Sequence, residues 1–229
     1  MATPRTSFLP SRDGFAFPNS WPSAPALRLP SPLARIGVGN AARGLCGGMV
    51  FAALDYWHAG TSPPRDRPVP GSPLYRFIVR RLIDSWHLPA GVARYYAWMN
   101  LPDNDGRRRR SGYELTVLGL RRRTVSEQWP LVRASIDAGI PAALGVVTVA
   151  SAWPGLLGRN HQVLAYDYSV SASTVSLAVY DPNSGPGDRV RIRFDTSKPG
   201  PFEHSLNISW PVRGFFVTAY SPVAPPGTG

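Results

Sequence analysis

The sequence predicts an α+β fold, with helices in the first part of the chain and an antiparallel sheet in the second. Two observations carry this. Apolar residues at three- and four-residue spacing are confined to residues 44–139, whereas β-branched and aromatic runs follow one another from Pro141 to Tyr220. No helical pattern interrupts those runs, so neighbouring strands have only short connections and must pair antiparallel. The chain has 229 residues, 43% of them hydrophobic, enough for one substantial core.

Taken in order, residues 1–36 are rich in proline, serine and arginine and read as an N-terminal arm. The aromatics of Gly14–Trp21 are suited to docking on a core, with the first ten residues frayed; a free Pro-rich tail is the competing reading. Residues 37–222 form the expected single domain, helical over 44–139 and sheet over 140–220, and 223–229 are expected as a flexible tail. A helix spans 44–60, supported by Leu45, Met49, Ala53 and Leu54 and by Val50, Leu54 and Trp57. Ser72 and Pro73 are an N-cap and a first-turn proline, opening a helix to about His87 through Leu74, Phe77, Ile78 and Leu82. Pro89 to Asn100 is a shorter helix, and Leu101 to Arg110 a polar loop. Thr124 and Glu127 read as a capping box that opens a helix to Gly139. The strands are expected at 141–150, 162–170, 174–181, 189–194, 206–210 and 214–220.

Net charge is +11, carried by 24 arginines and the single Lys198. That charge favours non-specific contact with anionic surfaces, through Arg107–Arg110 and Arg121–Arg123. No aromatic stacking platform or nucleic-acid motif accompanies these runs, so specific nucleic-acid binding is not expected. One cysteine rules out an internal disulfide and a multi-cysteine zinc site, and no cofactor or metal is expected. The uncharged stretch 139–158 contains prolines and glycines and reads as a buried strand and loop rather than a membrane span. Charges and prolines interrupt any apolar core near the N-terminus, so no secretory signal is expected. The protein is expected to be soluble.

The single cysteine, Cys46, stands where a loop becomes a helix, among Gly44, Gly47 and Gly48. A thiol in a first turn meets unpaired backbone N–H groups and the positive end of the helix dipole, which favour thiolate. A buried small hydrophobe is the competing reading. His161 opens a strand, and Asp181 and Asn183 stand in the turn that ends the next one, so antiparallel pairing brings them to one end of the sheet. His161 is suited to take the thiol proton. Asp181 is suited to hold the ring in the required tautomer, with Asn183 as the competing orienter.

Cysteine at a helix start, histidine at a strand start and Asp181-Pro182-Asn183 after the next strand resemble a papain-like cysteine peptidase. Within that superfamily the pattern is most similar to the bacteriocin-leader peptidases. The resemblance covers roughly residues 37–220 in topology and implies hydrolysis of peptide or amide bonds through an acyl-enzyme, or transfer of the acyl group. It also implies that Asn40, six residues before the cysteine where the family has glutamine, donates to the oxyanion. Two departures are the Leu45-Cys46-Gly47-Gly48-Met49 context, which lacks the papain signature, and a Cys-to-His interval below the ~130–150 residues of papain itself. The alternative is the same fold without the reaction, used as a binding module.

The other candidates carry less. His58, His87 and His204 have no metal-ligand spacing and read as surface or helix-end residues. Asp55 reads as a solvated or locally paired carboxylate. Asn207-Ile208-Ser209 matches a glycosylation acceptor.

Overall fold

The computed structural model describes residues 6–21, 44–110 and 112–227. It is a mixed α+β architecture built on a curled, six-stranded antiparallel sheet. In chain order the elements are α1 (Pro10–Asp13), α2 (Cys46–His58), α3 (Pro73–Ser85), α4 (Ala90–Met99), β1 (Gly106–Arg110), β2 (Tyr113–Val117), α5 (Leu120–Arg123), α6 (Trp129–Asp137), β3 (Ala142–Val147), β4 (His161–Ser171), β5 (Thr174–Tyr180), β6 (Arg191–Asp195), β7 (Glu203–His204) and β8 (Gly214–Val217). The main sheet runs β7-β6-β5-β4-β3-β8, every neighbour antiparallel.

Side chains alternate across the sheet because successive strand residues point to opposite faces. Leu164 and Tyr166 of β4 and Tyr180 of β5 meet α2, α3 and the N-terminal arm on one face. Val163, Ala165, Leu177 and Val179 meet α6 on the other. α4 closes one end against Val147 and Phe216. The uncharged stretch 139–158 supplies β3, buried along its whole length, then a loop and a 3₁₀ turn. Among the described residues no helix is long and apolar enough to cross a membrane.

The arm docks more firmly than its composition suggested. Phe8 and Phe15 are fully buried, and Phe17 and Trp21 nearly so. Thr6 donates its N–H and hydroxyl to the Tyr166 carbonyl at 3.2 and 2.9 Å, so residues 6–10 are fixed rather than frayed. At the other end, Val223 N–H donates to Asp55 and Tyr56 donates to the Pro226 carbonyl. The expected flexible tail is therefore tied down as far as Pro226.

Three further expectations are corrected. Arg107–Arg110 is not the end of a polar loop but strand β1, paired with β2 in a separate two-stranded sheet. Thr124 is not an N-cap: α5 already runs into it, a widened π-type turn spans Thr124–Gln128, and the Thr124 hydroxyl donates back to the Leu120 carbonyl. The 206–210 run forms no strand; the edge strand is Glu203–His204, and Leu206 is buried as a loop residue.

Candidate active site

α2 begins at Cys46, and its position follows from two glycines. A Cβ on Gly47 would lie 2.7 Å from the amide carbon of Gln162 in β4, and a Cβ on Gly48 would collide with the Ile78 carbonyl of α3. Neither side chain can exist if α2 is to lie this close to sheet and neighbouring helix. The glycines thus serve packing, and through it they bring the first turn of α2 against the start of β4.

His161 is the first residue of β4 and 5% exposed. Its backbone is fixed by pairing with Val146 of β3 and by the Tyr95 hydroxyl of α4, which donates to its carbonyl at 3.3 Å. Its ring Nε2 is 2.7 Å from Oδ1 of Asp181, the residue directly after β5. The Cys46 thiol stands close enough to this imidazole for each to favour the charged form of the other. With Nε2 committed to Asp181, Nδ1 is the nitrogen left for sulfur.

Asp181 is fully buried and saturated with donors. Oδ1 also accepts from Asn183 N–H at 2.9 Å; Oδ2 accepts from Asn207 N–H at 2.8 Å and the Ser184 hydroxyl at 2.9 Å. Burial pushes the Asp181 carboxyl up, but the His161 ring and the backbone donors more than reverse this and hold it low. Burial likewise pushes the Cys46 thiol up. The facing imidazolium and the N–H groups of Gln162 and Gly47 outweigh it, leaving the thiol below its ordinary value. Burial pulls His161 down, and the Cys46 thiolate with Asp181 raises it to about 10. The shifts run in the direction that favours a thiolate–imidazolium pair beside the Asp181 carboxylate.

The sequence-derived candidates separate as follows. Cys46, His161 and Asp181 come together. Asn183 does not reach the ring: its amide oxygen accepts from Asn19 at 2.9 Å and its amide nitrogen donates to the Asn207 carbonyl at 3.1 Å. Asn40 lies outside the described residues. Sequence reasoning missed Asn207, whose backbone holds Asp181 and whose side chain donates to the Asn183 carbonyl at 3.0 Å. It also missed Gln162, buried beside Gly47 and donating to Ser85 at 3.2 Å. The adjacency of Gln162 to His161 was the one available signal for the latter.

The remaining charged candidates lie elsewhere. Asp55 is buried rather than solvated, with Arg81 Nε of α3 2.7 Å from its Oδ2. Arg121, Arg122 and Arg123 are paired with Asp103, Asp105 and Glu127 respectively, and Arg107 lies 3.5 Å from Glu114. His58 and His87 are exposed at or just beyond helix ends. His204, half-buried in β7, is drawn down by burial. Among the described residues no three His, Cys, Asp or Glu side chains gather as metal ligands. Comparison of the chain with protein-family models, with curated proteins and with solved structures finds no match.

Proposed function

We propose that the protein is a papain-like cysteine hydrolase acting on a peptide or amide bond. The observation that carries the reading is the buried His161–Asp181 pair at 2.7 Å with the Cys46 thiol beside the same imidazole, the thiol lowered and the imidazole raised. A thiolate held beside an imidazolium is a nucleophile and a general acid already in their reactive protonation states.

The Cys46 thiolate adds to the substrate carbonyl carbon, and the carbonyl electron pair moves to oxygen. The N–H of Cys46, at the positive end of α2, and the Asn40 amide are the proposed donors to that oxyanion. On collapse the C–N bond breaks, and His161 gives its Nδ1 proton to the leaving amine. The thioester that remains is attacked by water, whose proton returns to His161, releasing acid and restoring the pair. An amine acceptor in place of water would give acyl transfer by the same steps. Asp181 keeps Nε2 protonated and Nδ1 facing sulfur throughout.

The test is the pH dependence of Cys46 alkylation by iodoacetamide, in the wild type and in His161→Ala. The expected result is fast alkylation near pH 6 that is lost in the variant. A rate that rises only around pH ~8.5 and ignores the substitution describes an ordinary cysteine, and would turn the protein into a binding module with the same fold.

A further inference from the structure

The N-terminal arm reaches the candidate site through Asn19. Asn19 Oδ1 accepts from the N–H of Leu45, the residue before Cys46, at 2.7 Å, and from the Trp21 indole at 2.8 Å. Asn19 Nδ2 donates to the Asn183 amide oxygen at 2.9 Å, and its backbone N–H donates to the Pro182 carbonyl at 2.9 Å. Leu45 offers no side-chain cap to α2, so this arm residue takes up one of the donors at the start of the helix. The backbone makes room for it: Gly44 is at φ +91°, and a Cβ there would lie 2.5 Å from Asn19 Nδ2.

The two ends of this bridge are the two halves of the site. Leu45 fixes the start of the helix that carries Cys46. Pro182 and Asn183 belong to the turn that carries Asp181, and Asn183 N–H bonds the same Oδ1 that holds the His161 ring. Among the described residues of the arm, Asn19 is the side chain with hydrogen bonds to both. The arm is itself anchored away from the site, by Phe15 against Tyr56 and Trp21 against Tyr75, so Asn19 is presented on a fixed support.

We propose that Asn19 is a positioning residue that holds the start of the Cys46 helix in register with the Asp181 turn. The arm is on this account a part of the site. The inference rests on the thiolate–imidazolium reading above. It requires that removing the bridge disturb the ionisation of Cys46, because small displacements of sulfur from the imidazole weaken an attraction that falls with distance.

The test is the pH profile of Cys46 alkylation by iodoacetamide in the full chain, for wild type, Asn19→Ala, Asn19→Asp and Phe15→Leu, with thermal unfolding of each. Asn19→Asp keeps the acceptor for Leu45 N–H and loses the donor to Asn183. Phe15→Leu loosens the arm without touching the bridge. The expected result is a midpoint moved up by about one pH unit in Asn19→Ala, a tenfold loss of rate near pH 6, with a smaller move in Asn19→Asp and none in Phe15→Leu. A wild-type midpoint with lowered thermal stability in both Asn19 variants would show a purely structural role and overturn the proposal. An equal shift in Phe15→Leu would assign the effect to arm docking in general and overturn it too. If the wild type itself lacks a low-pH midpoint, the reading of the site fails, a result distinct from either of these.

Discussion

Gly47 of α2 and Gln162 of β4 are in contact with no side chain on the helix between them, since a single methyl on Gly47 would lie 2.7 Å from the Gln162 amide. Ser85, which crowds the same point, is held by its bond to the Leu82 carbonyl at 2.7 Å and cannot step aside. Alanine ordinarily stabilises a helix over glycine by roughly 0.5–1 kcal/mol. At this position the overpacking outweighs it, and Gly47→Ala should lose about 1–3 kcal/mol in urea unfolding. The same displacement moves Cys46 away from His161, so alkylation near pH 6 should slow. A gain in stability with an unchanged alkylation profile would refute the packing account.

Asp181→Asn conserves shape and removes the charge. The carboxylate accepts from His161, Asn183, Ser184 and Asn207, so an amide nitrogen in place of either oxygen must face a donor. A buried group left without its partner costs about 1–3 kcal/mol. The imidazolium also loses its counter-charge, which lowers the His161 pKa and with it the thiolate share of Cys46. Each pH unit by which the Cys46 midpoint rises should reduce the rate at pH 6 by about tenfold. Asn183→Ala, which leaves the Asn183 N–H in place, should move the midpoint less. The reverse order would make Asn183 the orienting residue after all.

The parts of this site that the sequence disclosed are those where chemistry and local structure coincide. Cys46 stands at a helix start, His161 at a strand start, and Asp181 in an Asp-Pro turn, and antiparallel pairing of consecutive strands then needs no long-range information. Competing local signals obscured the rest. Four arginines in a row read as solvated loop, because strand propensity says little about a charged strand whose partner is exposed. Thr124 carried a capping pattern, but tertiary contact made the preceding turn helical and sent its hydroxyl back to Leu120. The distinction between Asp181 and Asn183 depended on which side chain turns inward. Asn19 had no local signature, because its partners are 26 and 164 residues away.

Arg81 and Asp55 make a buried ion pair between α3 and α2, and Tyr220 and Val223 also donate to Asp55 at 2.7 and 2.9 Å. The Arg81 guanidinium lies over the rings of Phe51 and Tyr220, 5.0 and 5.4 Å from their centroids. Arg81→Met leaves the Asp55 carboxylate buried without its cation, and should cost roughly 3–5 kcal/mol. Adding Asp55→Asn removes the charge while an amide oxygen still accepts from Tyr220 and Val223. The double variant should therefore recover a large part of the loss in urea midpoint. A double variant no more stable than Arg81→Met would mean that the arginine acts through its ring contacts.

The ion-pair reading of the site also fixes how stability depends on pH. His161 is raised in the folded state, so by itself it contributes stability in full below about 6.5 and loses it as pH rises through about 10. Cys46 is lowered, so by itself it contributes stability above about 8.5 and loses it as pH falls through its folded value. Wherever between about 6.5 and 8.5 the folded site holds the thiolate–imidazolium pair of the proposed reading, it and the unfolded neutral pair each hold one proton, and the two slopes cancel. Below that window the unfolded pair binds a second proton, and stability falls with falling pH. Above it the unfolded pair holds none while the folded pair holds one, and stability falls with rising pH. Urea unfolding of the wild type minus that of Cys46→Ser/His161→Gln, taken at each pH, subtracts the other titrating groups. The difference should be flat across the window and decline on both sides. If His161 were raised by Asp181 alone beside a neutral thiol, the difference would instead drop by up to about 1.4 kcal/mol per pH unit through that same window.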